Sequence, residues 1–215
     1  MRKSIAILGM GRFGQFLTKE LSEKNADVLI ADSDSRIINQ YAPLVSNAVI
    51  VDLTDPDAIR NIGLSNIDVA VVAMGSSIEA SIMCVMVAKE LGIPHVIAKA
   101  ASERMGDILK RVGADEIIYP EKESATQTAR KLMSQNLLEY YPLGDNLCLV
   151  NIVPRTEWLG KTLRELRLRN RYHINVVAIR KRGDTNARID PELMLTPETE
   201  LIVIAEPKDL SHLTD

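Results

Sequence analysis

Short apolar runs recur along the first 120 residues, at 5–8, 28–31, 48–52, 68–73, 95–98 and 116–120. Each of the first five leads into a polar turn and then a stretch with apolar residues at helical spacing. Such runs, rich in Ile, Val and Ala, read as strands buried on both faces. Between them, Phe13, Phe16, Leu17 and Leu21 keep one helical face, and 35–42 and 102–112 read the same way. Thr54-Asp-Pro-Asp57 has the composition of a helix start. Strictly alternating strands and helices with short connections predict a parallel, doubly wound α/β sheet.

Two later helices depart from the one-sided pattern. Over 78–91, Ile78, Ile82, Met83, Val85, Met86, Val87 and Leu91 cannot share a face. A helix apolar on all sides is buried on all sides, which predicts a subunit interface there. The stretch 121–141 lacks glycine and internal proline, and Ala125, Ala129, Leu132, Leu137 and Tyr140 keep helical spacing. It predicts one long crossover helix, closed by Pro142-Leu-Gly. The last 70 residues change character: strands at 147–153, 174–179 and 200–205, and a short helix at 162–169. The expected division is 1–120 for the alternating α/β lobe, 121–142 for the linking helix, and 143–215 for a small α+β lobe.

The chemistry concentrates after the first strand. Gly9-Met10-Gly11-Arg12-Phe13-Gly14 forms Gly-x-Gly-x-x-Gly between a strand and a helix. In that setting one glycine makes the tight turn, one lets backbone approach a pyrophosphate, and one permits close helix–strand packing. The helix N-terminus offers unpaired N–H groups to an anion. Asp32 ends the second strand 18 residues beyond Gly14, where a carboxylate can accept from ribose hydroxyls. Together these predict a Rossmann nucleotide half-site. Arg12 adds a fixed cation at the helix start, which suits a terminal phosphate. Lys99, at the end of the fifth strand, can add charge near the same crevice. Arg164, Arg167 and Arg171 fall on one helical face of 162–169 and its continuation, a candidate second anion site.

The 215 residues, 46% hydrophobic and 26% charged with a net charge of −3, give no general pull toward nucleic acid or an acidic membrane. No apolar run reaches the roughly 18–20 residues of a membrane span, and no leader is read, so a cytoplasmic protein is expected. Cys84 and Cys148 sit in apolar runs without metal-ligand spacing. His95, His173 and His212 have no carboxylate at a matched position, and there is no nucleophile elbow or Tyr-x-x-x-Lys pair. A nucleotide site without a reacting group points to a sensor. An NAD(P)-dependent oxidoreductase fragment is the alternative, and a degenerate ring-forming scaffold a third.

The motifs Gly9-Met-Gly-Arg-Phe-Gly14, Asp32, Asp52-Leu-Thr-Asp55, Val72-Ala-Met-Gly75, Ile97-Ala-Lys-Ala100 and 113–121 occur in one order. In this they resemble the cytosolic RCK (KTN) regulatory subunits of Ktr/Trk potassium-uptake systems. The resemblance implies a Rossmann lobe, a crossover helix and a C-terminal RCK lobe. It also implies homodimers that build an octameric ring under a membrane potassium-translocating subunit. ATP or ADP, or NAD/NADH in Trk-type relatives, would bind the first lobe and gate transport. By position, Gly9, Gly11 and Gly14 would form the phosphate loop, with Met10 and Phe13 in it, and Asp32 and Ser33 would hold the ribose. Asp52 and Leu53 would lie by the adenine, facing Met74 and Gly75. Arg12 would reach a γ-phosphate, partly across the dimer, and Glu121 would be linked to a divalent cation, Mg or Ca. Some relatives bind cyclic di-AMP in the second lobe, where Arg169 would make contact. Val51, Glu198-Thr-Glu200 and Ala205 depart from the family's usual glycines.

Overall fold

The computed structural model describes residues 3–133 and 136–212, and divides into two compact units, 1–122 and 123–215. In the first unit, six strands form a parallel sheet in the order β3-β2-β1-β4-β5-β6: β1 (Ser4–Leu8), β2 (Asp27–Asp32), β3 (Asn47–Ile50), β4 (Val69–Val72), β5 (His95–Lys99) and β6 (Glu116–Ile118). The order reverses beside β1, which puts the crevice of a doubly wound sheet at the carboxyl ends of β1 and β4. Five helices accompany these strands: α1 (Arg12–Glu23), α2 (Ser35–Tyr41), α3 (Pro56–Arg60), α4 (Ile78–Glu90) and α5 (Glu103–Arg111). Ala6 and Leu8 of β1 share one core cluster with α4 and α5; Ile5 and Ile7 share another with Ile38 and Tyr41 of α2. Alternation along a two-faced strand thus fills both layers.

The apolar girdle of α4 is largely absorbed within this fold. Ala80, Ser81, Cys84, Val85, Val87 and Ala88 are buried, and Ile82 and Met83 pack on the core. Ile78, at 43% exposure, and Met86, at 39%, remain outward; with Ile82 they form a stripe at i, i+4 and i+8.

The long helix expected over 121–141 is not formed. Helix α6 covers Pro120–Met133, and Leu137–Pro142 is a strand, β7, at the edge of a second sheet. Tyr140 and Tyr141 favour a strand, and the pairing of β7 with Cys148–Ile152 (β8) outweighs the helical spacing. The sheet order is β10-β9-β11-β8-β7, antiparallel throughout, with β9 (Asn175–Lys181), β10 (Asp184–Asn186) and β11 (Thr199–Ala205). Its core holds Val150, Ile152, Leu201 and Val203 around Trp158, whose ring meets Tyr172 edge-on at 5.1 Å.

The expected helix at 162–169 is two helices, α7 (Leu163–Leu166) and α8 (Leu168–Tyr172), broken at Arg167 with φ 47° and ψ 47°. Arg164, Arg167 and Arg171 therefore do not share a helical face, which corrects the expected basic stripe.

Candidate functional site

The turn after β1 is held by its own backbone. Gly9 N–H donates to the Ala31 carbonyl at 2.8 Å, and Met10 N–H donates to Asp32 Oδ2 at 2.6 Å. Gln15 Nε2 donates to the Met10 carbonyl, and Thr18 Oγ1 to the Gly14 carbonyl. Gly9 has φ +100°, and a Cβ there would stand 2.4 Å from Met74 Cγ; one on Gly14 would stand 2.2 Å from the Gly9 carbonyl oxygen. Both positions therefore require glycine. Gly11 does not: its φ is −62° and nothing lies within 4 Å of an added Cβ.

Gly11 is the N-cap residue of α1, and its lack of a side chain leaves the helix end open. No side chain caps α1, its first turn carries no acid, and the first intrahelical bond runs from Gln15 N–H to the Gly11 carbonyl. By contrast, Asp34, Asp55, Ser77 and Ser102 cap α2, α3, α4 and α5. The first-turn N–H groups of α1 thus face a cradle in which a Cβ at Gly11 would stand, with the helix dipole behind them. That arrangement fits the phosphates of a nucleotide. Arg12, the first residue of α1, is exposed beside it.

Asp32, half-buried, accepts from Met10 and, through Oδ1, from Asp34 N–H, so its first task is to hold the turn. The sequence could place this carboxylate at a strand end; the bond to Met10 needed the fold. Ser33 is exposed next to it. Asp52 follows β3 and accepts through one oxygen from Thr54 N–H and Oγ1, bonds that hold its carboxyl below the usual range. Met10 and Leu53 are buried in the core, and both backbone groups of Met10 are already engaged, by Asp32 and Gln15. Met74 and Gly75 close β4 at the same end of the sheet, half-buried.

Lys99 and Glu121, expected to serve phosphate and cation separately, meet each other. Lys99 Nζ donates to Glu121 Oε1 at 2.6 Å, and this bond chiefly holds the Glu121 carboxyl below its ordinary value. The same ammonium lies 5.9 Å from the centroid of the Phe13 ring. Among the described residues no group of three His, Cys, Asp or Glu side chains could hold a metal ion. A single carboxylate already engaged by an ammonium does not fit a resident divalent cation. His95, expected to lack a carboxylate, lies 3.3 Å from Glu116 at the opposite ends of the strands, away from the glycine turn.

In the second unit a cavity of 470 Å³ opens where α7 and α8 meet β9; its lining includes Leu163, Arg164, Leu168, Arg169, Ile174 and Asn175. The break at Arg167 brings Arg164 and Arg169 to this cavity from two helices.

No helix among the described residues is long and apolar enough to cross a membrane. Residues 5–120 match the TrkA-N domain family and residues 148–215 the TrkA-C domain family. Over 99% of its length the chain is 37% identical to Ktr system potassium uptake protein C of Bacillus subtilis, covering 96% of that protein. It is 32% identical over 96% of its length to Ktr system potassium uptake protein A of Vibrio alginolyticus, covering 94% of it. The RCK domain of GsuK superposes on the whole chain with a TM-score of 0.68 at 18% identity, and the GsuK channel bound to NAD with 0.67 at 17%. The chain spans 47% and 39% of those two chains, and at such identity they speak for the fold alone. With both domains in order and relatives matched nearly end to end, the chain belongs to the TrkA-domain family that includes the Ktr potassium uptake proteins.

Proposed function

We propose that this chain is a nucleotide-sensing regulatory subunit of a membrane potassium transporter, binding ATP and ADP at the turn after β1. The observation that carries the reading is the open, uncapped end of α1 over Gly11, in a chain whose relatives are potassium uptake proteins. Arg12 favours ATP and ADP over NAD, because an added guanidinium suits a terminal phosphate where a dinucleotide's pyrophosphate needs only backbone donors. The reading assigns regulation and no catalysis. A ligand can shift a gate only through its differential affinity for two states. Homodimers and an octameric ring would supply those states, and the Ile78, Ile82 and Met86 stripe is a candidate contact face.

The second-unit cavity supports a further ligand. Its apolar floor and the guanidinium groups of Arg169 and of Arg164, which also pairs with Glu192, suit a molecule with apolar faces and two negative charges, and we assign it to cyclic di-AMP. The test of the main reading is calorimetry with ATP, ADP, NAD and NADH on the wild type and on Arg12→Ala. The wild type is expected to bind ATP and ADP competitively, and Arg12→Ala to lose most of the preference for ATP. NAD binding tighter than both would replace the reading with a Trk-type NAD sensor.

A further inference from the structure

Lys99 is the one charged side chain that is buried among the described residues, at 9% exposure for the residue. Its ammonium sits where three segments of the first unit converge. It pairs with Glu121 in the first turn of α6, lies 5.9 Å from the Phe13 ring of the glycine turn, and stands 3.3 Å from where a Cβ on Gly75 would be. The pair is lopsided: the Lys99 side chain is 11% exposed and the Glu121 side chain 70%. Leaving the pair therefore costs the two partners differently. Glu121 moves into water it already touches, whereas Lys99 is left as an uncompensated buried charge. The ammonium needs an anion at all times; nothing requires that anion to be Glu121.

We infer that Glu121 is a built-in competitor for nucleotide phosphate, the resident counter-ion of Lys99 that an incoming phosphate exchanges for itself. The inference rests on the nucleotide reading above and gives Glu121 a role opposite to that of a ligand-holding residue. Binding at the glycine turn replaces one anion on Lys99 by another, so the ammonium stays paired throughout. Gly75 is glycine in this scheme because a side chain there would press on the ammonium.

The experiment is calorimetric titration of ADP and of adenosine into the full chain in EDTA, so that no divalent cation contributes. Wild type, Glu121→Gln, Lys99→Met and the double variant are compared, with thermal melts checking that each is folded. Glu121→Gln is expected to tighten ADP binding about three- to tenfold and to leave adenosine, which has no phosphate, unchanged. Lys99→Met is expected to weaken ADP binding, and adding Glu121→Gln to it is expected to change nothing further. If Lys99→Met does not fold, the Glu121→Gln comparison of ADP with adenosine decides alone. Wild-type binding of ADP with no tightening, or with loss, in Glu121→Gln would overturn the exchange while leaving nucleotide sensing intact. Absence of ADP and adenosine binding in every variant would overturn both.

Discussion

Gly11 and Gly14 stand three residues apart and are glycine for different reasons. A Cβ on Gly14 meets the Gly9 carbonyl oxygen at 2.2 Å, backbone against backbone, so the turn itself must deform to admit it. Gly14→Ala is expected to cost about 2–3 kcal/mol of stability, the scale of overpacking a tight interior. A Cβ on Gly11 meets nothing and its φ is ordinary, so Gly11→Ala should keep stability within about 0.5 kcal/mol, as harmless surface substitutions do. It should nevertheless weaken nucleotide binding tenfold or more, because the methyl group enters the cradle. Urea unfolding alongside calorimetry separates the two effects; equal stability losses would contradict the distinction. The glycine turn and the strand-end Asp32 were legible in the sequence, because backbone geometry demands those residue types there. The pairing of Lys99 with Glu121 was not, since it depends on β5 and α6 meeting 22 residues apart.

At the level of elements, spacing alone misjudged two stretches, and both errors have a physical cause. Leu137 and Tyr140 keep helical spacing with α6, but antiparallel pairing with β8 satisfies the backbone of a Tyr-rich segment better than another helical turn. The break between α7 and α8 relies on a non-glycine residue, Arg167, in the left-handed region, which no residue-type rule anticipates. The start of α7 is conventional: Thr162 and Glu165 form a reciprocal capping box. Thr162→Ala is expected to cost the second unit about 1 kcal/mol, read by Trp158 fluorescence in a urea titration. Because α7 walls the cavity, cyclic di-AMP should raise the melting temperature of the wild type and do so much less in Arg169→Ala. An equal rise in both would remove Arg169 from the site.

For the whole molecule, acid should test the two units unequally. The carboxyl groups of Asp34, Asp52, Asp68, Glu103, Asp115 and Glu121 are all held below their ordinary values, and all belong to the first unit. The principal causes are the Arg36 side chain, Thr54 N–H, Ser4 N–H, the Lys122 side chain, Val96 N–H and the Lys99 side chain, in that order. A carboxyl whose folded pKa lies below its unfolded value of about 4 stabilises the fold fully above that value. The contribution is lost as pH falls through the depressed folded value, because protonation removes the acceptor charge that these bonds use. The first unit should therefore loosen as pH falls below about 4, and unfolding there should take up protons. The protein's single tryptophan, Trp158, is buried in the second unit, 1% exposed, so its fluorescence reports that unit by itself. Far-ultraviolet circular dichroism, which sees both, is expected to fall at higher pH than the Trp158 signal changes. Asp115→Asn should narrow the gap: its Oδ2 accepts from Val96 N–H at 2.7 Å and so ties the start of β6 to β5, and the neutral side chain does not titrate there. Coincident transitions in the wild type would mean that acid unfolds the two units as one cooperative body, with the first unit's hydrogen-bonded carboxylates giving it no separate acid sensitivity.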